Sequence, residues 1–294
     1  MNKGTLYALG AYVIWGFFPI YFTLLHEAPA IQVVSHRIVW SFLLLAILLS
    51  ARKEWKTLRA AITGPKMLAI FMVSSMLLAM NWLIYIYGVQ AGYIVETSLG
   101  YFINPLVSVL LGVVILRERL RPLQWAAVGL AALGVLYLTI NYGYIPWIAL
   151  LLALTFGLYG LAKKTSPLGS FYGLSLETGL LFIPCLGYLL FLQSQGMGVF
   201  GHSSPLTNIL LVFTGPVTAV PLLLFGAAAR KISLTMLGLM QYIAPTMQFL
   251  IGVLLYHEPF TMANLVGFCI IWVALVVLWA EGYRQYRRVR AVTA

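Results

Sequence analysis

The chain has 294 residues, 62% of them apolar and 9% charged, with a mean hydropathy of +0.96. A soluble domain is about 45–50% apolar and about 25% charged, so a water-soluble globule is excluded, and the apolar share makes room for roughly nine or ten membrane spans of about 20 residues. The charge of +11 comes from 18 Lys and Arg against 7 acids, all of them Glu; in so apolar a chain this excess marks a membrane side and not a nucleic-acid partner.

The first apolar run, Thr5 to Leu25, is too long for a signal-peptide core, lacks a small-residue cleavage site and reads as a span. Nine more follow at 31–51, 67–89, 93–116, 122–140, 144–162, 171–192, 206–229, 232–256 and 260–281. Polar or Pro/Gly-marked breaks separate them, such as Thr63-Gly64-Pro65 and Thr165-Ser166-Pro167. The two longer connections, 52–66 and 193–205, are too short for a soluble domain. The expected architecture is an all-α polytopic bundle of ten transmembrane helices, since lipid accepts only helices or closed barrels. With the N-terminus inside, every Lys and Arg except Arg37 falls in a cytoplasmic segment, ending with Arg284, Arg287, Arg288 and Arg290. Both termini are therefore expected to be cytoplasmic.

Several chemistries find no support. Cys185 and Cys269 both lie in apolar runs, so neither a disulfide framework nor a cysteine metal site is expected. No Asp is present, and HExxH, GxSxG, P-loop and Rossmann patterns are missing. No catalytic residue, metal or cofactor is expected.

An internal repeat organises the chain. Leu99-Gly-Tyr-Phe-Ile-Asn-Pro105, Gly112-Val113 and Glu118 recur 140 positions later as Leu239-Met-Gln-Tyr-Ile-Ala-Pro245, Gly252-Val253 and Glu258. Trp15-Gly16 matches Phe156-Gly157 at an offset of 141. The expected units are residues 1–142 and 143–283, five spans each, followed by a basic cytoplasmic tail, 284–294. An odd number of spans inverts the second unit relative to the first, an arrangement characteristic of secondary transporters.

This pattern, P-x6-G-x5-E in both halves with Trp-Gly in the first span, resembles the EamA-type domains of the drug/metabolite transporter superfamily. Val34-Ser-His-Arg-Ile-Val-Trp40 and Asn81-Trp-Leu-Ile-Tyr-Ile-Tyr87 are similar to the RarD-type, chloramphenicol-sensitivity permeases. The resemblance covers essentially the whole chain. It implies a bacterial inner-membrane permease with a central cavity, in a superfamily whose members carry amino acids, nucleotide sugars, metabolites and drugs.

Ionisable residues inside spans are costly and point to function. Arg37 lies roughly 10 Å, and Glu96 roughly 5 Å, below the expected external ends of their helices, where they can meet as an ion pair. Glu177 occupies the position related to Arg37 by the repeat, near the cytoplasmic face, with Lys163, Lys164 or water as its available partners. One reading has Arg37 binding an anionic or carbonyl group of the substrate while Glu177 or Glu96 carries a coupling proton; the other makes Arg37–Glu96 a structural lock. His36 reads as hydrogen-bonded packing, and Glu118 and Glu258 as loop anchors or gate contacts.

Polar and aromatic stripes supply the expected cavity lining: Trp15, Asn81, Tyr85, Tyr101, Asn104, Thr218, Gln241 and Gln248. Pro105 and Pro245 serve either as hinges or to shape the cavity. Small organic or amino-acid-like substrates suit such a lining, with membrane lipids as the surrounding partner and protons as a candidate coupling ion. A membrane enzyme acting on a lipid-linked substrate, or a scaffold, is the competing class.

Overall fold

The computed structural model describes residues 2–91, 93–142, 146–256 and, except for 264, 268, 275, 278 and 279, residues 261–281. His257, Glu258 and the basic tail lie outside these. Among the described residues the chain is helical and without strands: α1 (Lys3–Gly16), α2 (Phe18–Thr23), α3 (Ala30–Ala51), α4 (Trp55–Ala61), α5 (Pro65–Gln90) and α6 (Ile94–Val114). Then come α7 (Pro122–Tyr142), α8 (Trp147–Thr165), α9 (Ser170–Ser194), α10 (Pro205–Ala229), α11 (Leu234–Met240) and α12 (Ile243–Leu254). Eight helical segments are long and apolar enough to cross a membrane. Where the fourth and tenth spans are expected, the apolar helical stretches are shorter, at Leu99–Val114 and Leu265–Ala274.

Two expected spans are each built from two helices, and proline chemistry accounts for the breaks. α1 gives way to α2 at Phe17, with Pro19 in the first turn of α2. The ninth is interrupted at Gln241-Tyr242, four residues before Pro245, whose missing N–H leaves the Gln241 carbonyl without its helical donor. Ala244 N–H takes that place at 3.1 Å in a tighter turn. α6, by contrast, runs unbroken through Pro105.

Apolar side chains cover the outside of the bundle, and polar groups are buried within its apolar core, where lipid cannot reach them. Ile183 is 77% exposed and Ile140 70%, while Ser41 and Asn104 are fully enclosed. Small residues allow the close crossings. A Cβ on Gly100 of α6 would stand 2.9 Å from the Ala149 carbonyl oxygen of α8, and one on Gly215 of α10 would stand 2.7 Å from the Trp40 backbone of α3. Ser41 Oγ also donates to the Gly215 carbonyl at 3.3 Å. A bulkier residue at either glycine forces backbone against backbone.

Candidate functional site

α1, α3, α5, α6, α8 and the α11–α12 span converge on an internal cavity. Its walls include Trp15, Arg37, Asn81, Tyr85, Tyr101, Gln241, Pro245 and Gln248, all singled out from sequence. Phe18, Trp82, Phe156 and Ala244 complete it. About 40 Å³ is open to the centres of water molecules, room for roughly three waters at about 10–15 Å³ each.

Arg37 of α3 is only 2% exposed, yet among the described residues no carboxylate meets it. Its guanidinium carbon lies 4.1 Å from the Trp82 ring centroid, 5.0 Å from Phe22 and 5.7 Å from Phe18. Such ring faces attract a cation electrostatically. Nε donates to Thr218 Oγ1 of α10 at 3.0 Å. Thr218 therefore holds the arginine from behind and is not itself part of the cavity wall. The expected Arg37–Glu96 ion pair does not form.

Glu96 points elsewhere because it sits in the first turn of α6, beside the start of α8. Its Oε1 accepts the Ile148 N–H at 2.8 Å, in the first turn of α8, where unpaired amides and the helix dipole favour an anion. Glu118, just beyond α6, does the same for α11: its carboxylate accepts the N–H groups of Leu234 at 2.8 Å and Thr235 at 3.0 Å, and the Thr235 hydroxyl at 2.6 Å. Sequence spacing gave depth along the bundle but not which neighbouring helix each carboxylate would find.

The cavity amides are anchored in different ways. Asn81 Nδ2 donates to the Leu152 carbonyl at 3.0 Å and Thr155 Oγ1 at 2.9 Å, bolting α5 to α8. Gln248 Nε2 donates at 2.9 Å to the Trp15 carbonyl, the one that Pro19 deprives of its helical donor. Tyr85 and Tyr101 rings pack edge to face at 5.4 Å. Asn104 stays outside the cavity wall; its Oδ1 accepts from Ser108 Oγ at 3.4 Å, while its Nδ2 is buried without a partner. His36 Nδ1 accepts from Trp40 Nε1 at 3.2 Å with Phe200 packed alongside, a packing role.

A second buried polar centre joins α5, α8 and α9. Lys163 Nζ lies 2.6 Å from Glu177 Oε2, and Ser74 Oγ donates to Glu177 Oε1 at 2.6 Å. Both charged side chains are almost wholly enclosed. Lys164, the other partner that sequence offered, turns away to the Ile232 carbonyl at 2.6 Å. Sequence reasoning missed Trp82, Phe18 and Phe156 in the cavity because aromatic residues in an apolar run carry the same signal as ordinary core.

Comparison with known proteins agrees with this architecture. The EamA-like transporter family matches residues 2–140. Protein RarD of Streptomyces exfoliatus is 44% identical over 99% of this chain and 92% of its own length. The Bacillus subtilis transporter YojE is 45% identical over 94% and 93%. Protein RarD of Escherichia coli is 40% identical over 98% and 97%. One solved crystal structure, 17% identical, covers 93% of this chain and 97% of its own at a TM-score of 0.69, a likeness of fold.

Proposed function

The chain belongs to the RarD-type transporters of the EamA-like family, multi-pass proteins of the bacterial inner membrane, and on that premise we propose that it is a secondary transporter that moves a small organic metabolite, amino-acid-like compound or drug by alternating access. The observation that carries this reading is the central cavity, whose walls come from both halves of the chain and hold the intramembrane cation Arg37. Ten spans in two inverted five-helix units, 1–142 and 143–283, with both termini cytoplasmic, supply the machinery: each half lines one side of the site, and rocking of one against the other exposes it alternately. The small cavity suits an intermediate in which neither side is open. Pro105 and Pro245 sit at matching points of the two halves, and Pro245, where the ninth span is broken, is the hinge in this scheme.

Glu177 carries the coupling proton in this scheme. Ionised, it holds Lys163 and Ser74 and ties α5, α8 and α9 together. Protonated, it releases Lys163 and loosens that end of the bundle. Glu96 takes no proton role, because its carboxylate is spent on the start of α8.

Reconstitution into vesicles under an imposed pH gradient, with solute flux as the readout, tests the scheme. Wild type and Glu96→Gln should show gradient-driven flux, and Glu177→Gln should lose the dependence on the gradient while the purified protein remains monodisperse. Unchanged pH dependence in Glu177→Gln removes it from coupling; gradient-driven flux that vanishes in Glu96→Gln moves the coupling role there.

A further inference from the structure

We infer that the substrate is a small organic monoanion, a carboxylate on an aromatic or otherwise flat apolar body, that carries no ammonium group. The inference rests on the transport reading above and sharpens it. Among the described residues, the cavity wall holds one cation and no acid. The described glutamates are accounted for elsewhere: Glu177 holds Lys163, Glu96 and Glu118 cap helices, Glu281 meets Arg121 at 2.6 Å, Glu27 accepts from Thr207, and Glu54 begins α4. A zwitterion entering this site would find a partner for its carboxylate and no counter-charge for its ammonium.

Arg37 is built to receive that carboxylate. Aromatic faces and Thr218 fix the guanidinium, but Thr218 takes only Nε. Among the described residues neither terminal nitrogen makes a hydrogen bond to protein, and the side chain, although buried, lines the cavity. A planar guanidinium presents its donors as a fork matching the two oxygens of one carboxylate. A dianionic phosphate ester would call for further cations, which the described wall does not hold. Gln241, also in the wall, brings an amide to the same cavity, suited to a hydroxyl or carbonyl two or three bonds from the acid. The rings of Trp15 and Phe156, 5.5 Å apart edge to face, leave an apolar wall for the body of the solute.

The test uses full-length protein in vesicles and one matched series of probes: 3-phenyllactate, N-acetylphenylalanine, phenylalanine and phenethylamine. Flux of each is measured, together with the shift in melting temperature that each causes in detergent. Expected is at least a tenfold preference for the two acids lacking an ammonium over phenylalanine, no flux of the amine, and loss of the preference in Arg37→Gln. Arg37→Lys, which keeps the charge but not the fork, should retain a reduced preference. Equal or better flux of phenylalanine or of phenethylamine overturns the monoanion assignment and leaves the transport reading standing. If no probe moves or shifts the melting temperature, while chloramphenicol or another neutral solute does, the assignment falls and transport again stands. If neither the series nor the neutral solutes move, both fall together.

Discussion

Two buried charges in this bundle sit at positions 140 residues apart, Arg37 in α3 and Glu177 in α9, and the protein treats them in opposite ways. Glu177 is completed by the protein itself, with a lysine and a serine each at 2.6 Å. Arg37 has ring faces and one hydroxyl, and its side chain lines a cavity. A charge completed by protein holds helices together, whereas a charge left incomplete beside a void is open to the carboxylate proposed above. On the function proposed above, the contrast separates a lock from a binding site without reference to depth in the membrane.

The largest effect should come from breaking the lock on one side. Lys163→Met leaves the Glu177 carboxylate buried without its cation, which costs about 3–5 kcal/mol, read as a fall in melting temperature in detergent. The double replacement Lys163→Met/Glu177→Met should recover most of it, since exchanging a whole buried pair for apolar residues is about neutral. Failure of the double to recover would mean that the pair is needed for something besides compensation.

Next in size is Glu118→Ala, which removes acceptors from two amides and a hydroxyl at the start of α11. Its expected cost is about 2 kcal/mol, with Glu118→Gln intermediate, by the same melting measurement. Thr218→Val, which takes away the Arg37 Nε partner, should cost about 1 kcal/mol and weaken transport by misplacing the guanidinium. Arg37→Gln should cost about 1–2 kcal/mol, less than Lys163→Met, because it gives up the Thr218 bond and the ring contacts but orphans no partner charge. Its flux should nonetheless be lost. If Arg37→Gln instead destabilised the protein as much as Lys163→Met, the two charges would be alike and the distinction would collapse.

Hydropathy made most of the spans legible, because lipid demands continuous apolar helices and the polar breaks between them are short. The polar stripes were legible for the same reason: Asn81, Gln241 and Gln248 have no business facing lipid, and all three line the cavity. What sequence could not supply was azimuth. Arg37 and Glu96 lie at compatible depths, yet Glu96 turns to Ile148 and Arg37 to Trp82, since the close crossing of α6 and α8 at Gly100 decides which helix start Glu96 meets. Nor did the pattern separate Thr218, behind the arginine, from residues of the wall, or distinguish the unbroken helix at Pro105 from the break ahead of Pro245. These differences are set by partners distant in sequence.

The most direct test is the melting-temperature shift caused by 3-phenyllactate in three proteins side by side. A shift is expected in wild type, the same shift in Glu177→Gln, and none in Arg37→Gln. A shift that survives in Arg37→Gln, or that disappears in Glu177→Gln while Arg37 is intact, would contradict the proposed role of Arg37.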